Sequence, residues 1–184
     1  MKKLVLIFGI IVGIICGGMI WLNTPSGEFD PKAFENGELI GYITMIIAFS
    51  TIFVAVKQYR DKYQNGVIKF GKAFMIGLYI TLIGAVGYVV SWEIYFNNMA
   101  PDFAEKYVEF TKMQMAEAGM TAAEIETEMA GQMEFMEVYR DNALVRIGVT
   151  FLEIIPAGLF ISLISALIFG VFLKKKPSDD VVVA

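Results

Sequence analysis

Four long runs of apolar residues dominate the chain, at residues 4–22, 39–56, 73–92 and 147–173. A transmembrane helix needs about 20 mainly apolar residues to cross a hydrocarbon core that is about 30 Å thick. Because lipid offers no partners to backbone N–H and C=O groups, each run is predicted to be a helix. The pattern therefore predicts an all-α polytopic membrane protein, with residues 1–184 as one membrane domain that has four transmembrane helices.

The polar segment between the third and fourth runs has a helical pattern of its own. A first apolar stripe follows Pro101 and ends before Gly119, and a second follows the sequence TAAE at 121–124, which matches a capping box. The members of the two stripes are Phe103, Tyr107, Phe110 and Met113, then Ile125, Met129, Met133 and Met136. The segment 97–146 is therefore predicted to be a helical hairpin that leads into the last span.

The charges of the connecting segments predict the orientation. Residues 57–72 carry five Lys or Arg residues, residues 23–38 carry one, and lysines stand near both ends of the chain. Because Lys and Arg favour the cytoplasmic side of a membrane, both termini are predicted to be cytoplasmic, including a tail at 174–184. Residues 93–146, with 11 acids and 4 bases, then lie outside. The hairpin is therefore predicted to be extracytoplasmic.

Composition excludes several kinds of chemistry. The chain has no histidine and one cysteine, Cys16, which rules out His-based catalysis and thiolate clusters. Neither a phosphate loop nor a nucleophile elbow is present, so we predict no enzyme activity, no cofactor and no metal. Seven of the 11 methionines fall between Met99 and Met136; their thioethers suit copper(I), but helical spacing favours packing. The acidic outer segment disfavours nucleic-acid binding, because its negative charge would repel phosphates.

Two stripes of small residues predict close helix packing. Small side chains at every fourth position let helix backbones approach each other in a membrane. One stripe lies in the first run and one in the last: Gly9, Gly13 and Gly17, then Gly158, Ser162, Ala166 and Gly170. We predict a contact between the first and fourth spans, with the seam of a homo-oligomer as the alternative.

Three acids stand at the outer ends of apolar runs: Glu38, Glu93 and Glu153. Glu153 is 20 residues from Leu173, or about 30 Å along a helix, so it is predicted at the outer interface rather than at the midplane. Arg146 lies two turns before Glu153 on roughly the same face. Three interpretations remain open: the acids end the spans, they form a structural salt bridge, or they bind a cation or a proton with Arg146 as a neutralising partner.

Aromatic and basic residues mark the two boundaries of the predicted membrane region. Trp21, Trp92 and Tyr95 are predicted to form the outer aromatic belt. On the cytoplasmic side, four charged residues are candidates for contacts with lipid phosphates or a partner. They are Lys57, Arg60, Asp61 and Lys72.

Several stretches together resemble a known family. They include GYITMIIAFSTIFVAVKQYRD, FGKAFMIGL, WEIYF, PDFAEKY, MTAAEIETEM and TFLEIIPAGLFISLISALI, in this order. They resemble the bacterial membrane-protein family known as domain of unknown function 4199. The resemblance implies a small polytopic protein of the cytoplasmic membrane of Gram-negative bacteria, and no catalytic residue. The positions that match the recurrent patterns of the family are Arg60, Asp61, Gly71, Lys72, Glu93, Glu153 and Pro156.

These observations favour a non-enzymatic scaffold or accessory subunit in the bacterial inner membrane. Its partners would be the lipid bilayer and a periplasmic or membrane protein, or a second copy of the chain. The alternative is a small transporter or ion-binding protein that uses the outer carboxylates. The midplane positions offer mainly Ser, Thr and Gly, which disfavours transport of a charged solute.

Overall fold

The computed structural model describes residues 1–24 and 29–173. These residues form six α-helices, the last of which ends in a π-helical turn. The helices are α1 (Lys2–Asn23), α2 (Pro31–Tyr63), α3 (Phe70–Asn98), α4 (Phe103–Glu117), α5 (Ala122–Asp141) and α6 (Ala143–Leu167), with the turn at Ile168–Phe172. The predicted cytoplasmic tail at 174–184 lies outside the described residues.

Four helices are long and apolar enough to cross a membrane: α1, α2, α3, and α6 together with its π-helical turn. The prediction of an all-helical protein is confirmed for the described residues, and each apolar run lies inside one of these helices, except that the last run ends one residue later, at Leu173. The helices are longer than the runs, because helical hydrogen bonding continues into polar flanks. In α2, the side chain of Asp30 accepts a hydrogen bond from the Lys32 amide and Pro31 starts the helix, so α2 begins eight residues before the apolar run.

The helix α3 lies between α1 and α6 and packs closely against both. The predicted direct contact between the first and fourth spans is therefore wrong. Both stripes of small residues instead face α3, which presents small residues of its own at matching heights. A Cβ placed on Gly13 would lie 3.3 Å from the Cα of Gly87, and one on Gly17 would lie 2.9 Å from the Cβ of Ser91.

The stripe on α6 packs against the other side of α3. A Cβ on Gly158 would clash with Thr81, and one on Gly77 would clash with Ser162. The Thr81 and Ser162 hydroxyl oxygens lie 3.5 Å apart, and each hydroxyl also donates to a carbonyl of its own helix. The Thr81 and Ser162 hydroxyls are thus satisfied where these two helices meet, whereas the buried Ser165 hydroxyl of α6 has no hydrogen-bond partner among the described residues.

The helices α4 and α5 contact each other and follow α3 in the chain. The predicted capping box is present: the Thr121 hydroxyl accepts from the Glu124 amide, and the Glu124 carboxylate accepts from the Thr121 amide. The Thr121 amide and the Thr121 hydroxyl both donate to the Glu124 carboxylate, and these two bonds lower the pKa of this exposed carboxyl. Gly119 has a φ of +87°, a left-handed conformation that glycine adopts without strain, so the chain turns there between α4 and α5.

Candidate functional site

A cavity of about 380 Å³ lies between the α4–α5 pair and the adjacent ends of the long helices. Every one of the six α-helices contributes to its wall. Nine of the 22 residues that line it are aromatic, and they include Tyr88, Trp92, Phe103 and Tyr107. We call this space the α4–α5 cavity. Its volume lies within the range of small-molecule sites in proteins, so it is the candidate functional site.

Two carboxylates face the α4–α5 cavity, Glu38 from α2 and Glu153 from α6. Both side chains are accessible, and their negative charges repel each other. The Tyr88 hydroxyl donates a hydrogen bond of 3.3 Å to Oε1 of Glu153. Neither carboxylate forms a salt bridge within residues 1–24 and 29–173. Two of the three predicted acids therefore share one cavity without a protein cation between them.

The third predicted acid, Glu93, is held elsewhere by Arg146. Nε and Nη2 of Arg146 donate to the two carboxylate oxygens of Glu93 at 2.7 and 2.8 Å. Nη1 donates to the backbone carbonyls of Tyr139 and Arg140, and the guanidinium lies 4.2 Å from the centroid of the Phe96 ring. The alternative of a structural salt bridge is therefore confirmed for Glu93, and Arg146 does not neutralise Glu38 or Glu153. The side chain of Arg146, only 4% exposed, instead ties α6 to α3 and to the end of α5.

An aromatic cluster joins the α4–α5 pair to α3. Nε1 of Trp92 donates to the Tyr139 hydroxyl at 2.7 Å. The Trp92 ring also contacts the Phe103 ring edge-on, with the two ring centroids 5.0 Å apart. Burial raises the pKa of the Tyr139 phenol to about 12. Trp92 and Tyr95 are buried, whereas Trp21 is 47% exposed. The predicted aromatic belt is therefore wrong for Trp92, which α4 and α5 cover. It is also wrong for Tyr95, whose ring packs against Trp21 and Trp92 and whose hydroxyl donates to the Thr24 carbonyl.

One ion pair also connects α4 and α5 directly, and a second lies within α5. Nη1 of Arg140 donates to Oε1 of Glu105 at 2.6 Å, and Nε of Arg140 donates to Asp141 at 2.8 Å. The hydrogen bond from Arg140 lowers the pKa of the Asp141 carboxyl.

Burial, and then the negative charge of Glu38, raise the pKa of the Tyr107 phenol. The α4 helix is thus close enough to the acids of the α4–α5 cavity for their charges to act on it.

The predicted cytoplasmic residues lie at the opposite end of the long helices. Arg60 pairs with Asp61 at 2.7 Å and lies 5.1 Å from the centroid of the Phe169 ring. Lys72 lies 6.0 Å from the Tyr59 ring, and Lys57 is exposed. The Arg60 side chain, 12% exposed, is held largely by protein groups. Contacts of these residues with lipid or a partner stay a prediction.

The sequence interpretation found the two carboxylates of the cavity but missed its aromatic wall. Phe34, Tyr88, Phe103, Tyr107 and Tyr139 come from four helices and become neighbours only after folding. The spacing of Phe103 and Tyr107 gave one signal, because it marks the apolar face of α4. The sequence interpretation also missed the packing role of Gly77, Gly84 and Gly87 in α3, although their spacing of seven and three residues is typical of a helix-packing face.

The fold and the cavity define an all-helical protein that has four helices of membrane-spanning length and a ligand-sized site between them and α4–α5. A family model described as "Protein of unknown function (DUF4199)" matches residues 7–171, and the chain belongs to this family. No curated protein and no solved structure matches the chain.

Proposed function

We propose that the protein is a non-enzymatic accessory or scaffold subunit of the bacterial cytoplasmic membrane. Both termini lie in the cytoplasm in this proposal, and residues 97–146 form a periplasmic helical hairpin. The segregation of charge supports this orientation, because residues 57–72 are basic and residues 93–146 carry 11 acids and 4 bases. The α4–α5 pair is then the part of the protein that a periplasmic or membrane partner meets.

One exposed patch carries the proposal of a partner. At the junction of α5 and α6, Val138 and Leu144 are 44% and 80% exposed. They lie beside Glu137 and Asp141 in a shallow surface depression. Apolar side chains within a rim of polar ones are typical of protein–protein contacts. We propose that this junction binds the partner, which is another membrane protein, a periplasmic protein or a second copy of the chain.

The orientation can be tested by cysteine labelling. Cys16 is the single cysteine and is buried, so a Cys16→Ser background gives a chain without thiols. Because Glu126 and Lys62 are both exposed, at α5 and at the far end of α2, each position accepts a cysteine. In intact spheroplasts, a membrane-impermeant maleimide is expected to label Glu126→Cys and to label Lys62→Cys only after lysis. Labelling in the reverse order would overturn the orientation.

The partner contact can be tested by cross-linking from the same background. Val138→Cys is expected to give a discrete cross-linked product in native membranes, because Val138 lies inside the patch. Glu126→Cys, on the same helix but outside the patch, is the matched control and is expected to give none. Mass spectrometry of the product distinguishes a second copy of the chain from another protein. Equal products from both positions, or none from either, would contradict the accessory role.

A second candidate function is cation binding by the carboxylates of the α4–α5 cavity. The observation that favours it is that Glu38 and Glu153 face the same cavity. Away from the cavity, Phe49, Ile52 and Ile80 are fully buried and fill the core among the long helices. This packing supports binding at one end of the helices rather than passage of a charged solute along them.

A further inference from the structure

We propose that the α4–α5 cavity binds an organic ammonium compound, with its positive charge near Glu38 and Glu153 and its apolar part against the aromatic wall. The inference rests on the second candidate function and gives it a ligand class. It does not depend on the partner contact at Val138. The ammonium group can belong to a free amine or to the headgroup of a lipid, and the chemistry of recognition is the same.

The charge of the cavity wall favours a cation. Two carboxylates face the α4–α5 cavity, and no Lys or Arg occurs among the described residues that line it. Elsewhere the protein supplies its own cations: Arg146 neutralises Glu93, and Arg140 pairs with Glu105. Glu38 and Glu153 repel each other and lack such a partner in the described ranges. A bound cation would attract both carboxylates and so offset the repulsion between them.

The other groups of the wall favour an organic cation over a metal ion. Calcium takes about six to eight oxygen ligands, and the described residues contain no group of three or more His, Cys, Asp or Glu arranged to hold a metal. Nine aromatic side chains, by contrast, line the cavity beside the two acids. The faces of such rings attract ammonium groups, above all those whose hydration shell is weak.

The size of the cavity sets the scale of the ligand. A volume of about 380 Å³ corresponds to roughly a dozen water molecules at about 30 Å³ each. A trimethylammonium group with a short alkyl or aryl chain fits this space. Much of the remaining wall is apolar, including Met19, Ile20, Met45 and Val149, which suits the chain of such a molecule.

The test is a binding titration with hexyltrimethylammonium, with hexanesulfonate and hexanol as probes of matched chain length. The protein is reconstituted in nanodiscs as the Trp21→Phe variant, so that Trp92 in the cavity wall is the single tryptophan. We expect saturable quenching of Trp92 by hexyltrimethylammonium alone. Equal responses to hexanesulfonate or hexanol would overturn the proposal, and this comparison needs no change in the cavity.

Substitution of the acids gives the second arm. In Glu38→Gln/Glu153→Gln the affinity is expected to fall at least about tenfold, the loss typical of removing charged hydrogen-bond partners. Glu35→Gln removes an exposed charge one turn from Glu38 and outside the lining, so it is expected to leave the affinity unchanged. A smaller loss in the double variant, or an equal loss in Glu35→Gln, would overturn the proposal. If the double variant does not fold, Glu38→Gln alone carries this arm.

The lipid composition of the nanodiscs distinguishes the two sources of the ammonium group. The affinity is measured in phosphatidylglycerol discs and in discs containing phosphatidylethanolamine, each time relative to the double variant in the same lipid. This ratio cancels the effect of surface charge. If the affinity relative to the double variant is lower in the discs that contain phosphatidylethanolamine, the site binds a lipid headgroup, because this lipid then competes with hexyltrimethylammonium. Equal ratios would assign it to a free ammonium compound.

Discussion

Replacing Arg146 with methionine is expected to lower the free energy of unfolding by about 3 kcal/mol, the loss typical of breaking a buried ion pair. Arg146 is 4% exposed and donates two hydrogen bonds to the Glu93 carboxylate. It also donates to the carbonyls of Tyr139 and Arg140. Methionine fills a similar volume without these donors, so the carboxylate and both carbonyls lose their partner together. Unfolding of the purified protein in mixed micelles, followed by circular dichroism, measures the change.

Two further variants separate this effect from a general loss of charge. Arg140→Gln removes an arginine only six positions away whose side chain is 39% exposed, and its unfolding curve is expected to match the original. The double variant Arg146→Met/Glu93→Met is expected to be more stable than Arg146→Met, because no charge is left unpaired. If Arg140→Gln and Arg146→Met lose equal stability, the Arg146–Glu93 ion pair does not hold α6 to α3.

Replacing Gly87 with leucine is expected to separate α1 from α3 and to cost about 3 kcal/mol or more, at the upper end for overpacking. A Cβ on Gly87 would lie 2.9 Å from the Cα of Gly13 and 3.5 Å from its carbonyl carbon. Both are backbone atoms, so no change of side-chain rotamer makes room. The same unfolding measurement in mixed micelles reports the loss of stability. A cysteine cross-link between the two helices reports their separation.

Gly18→Leu is the matched control on α1. A Cβ at Gly18 would have nothing within 4 Å, and leucine favours a helix over glycine by up to about 1 kcal/mol. This variant is expected to be as stable as the original protein or more stable. A third variant tests the mechanism: a Cβ at Gly9 would lie 2.6 Å from the Cβ of Ile83, so Gly9→Ala is expected to lose stability, and Ile83→Gly, which removes that Cβ, is expected to restore part of it. Equal losses for Gly87→Leu and Gly18→Leu would show that the backbone contact is not limiting.

The candidate site was only half predictable from the sequence. Glu38 and Glu153 could be selected from the linear sequence, because a carboxylate at the end of an apolar run is uncommon enough to be noticed there. The pairing of Arg146 with Glu93, 53 positions away, was not visible, since a spacing rule within one helix pointed to Glu153 instead. A helix face contains several candidate partners, and the packing of α3 against α6 selects one of them.

The aromatic residues illustrate the same limit. Trp92 follows an apolar run, and a tryptophan in that position is typical of a membrane interface. In the structure Trp92 is 8% exposed, because Phe103 and Tyr139 of the α4–α5 pair cover it. An interface tryptophan and a tryptophan covered by another helix have the same local sequence. The distinction depends on where a distant segment packs.

The sequence by itself determined what depends on neighbouring residues: the four apolar helices, the capping box at Thr121 and Glu124, and the turn near Gly119. Helical hydrogen bonds and caps join residues a few positions apart, so a linear pattern is sufficient to predict them. Only the tertiary structure decided that α3 lies between α1 and α6, that Arg146 binds Glu93, and that six helices enclose one cavity. Such contacts depend on which helix faces meet, and small or apolar side chains allow several arrangements until the packing of all the helices selects one.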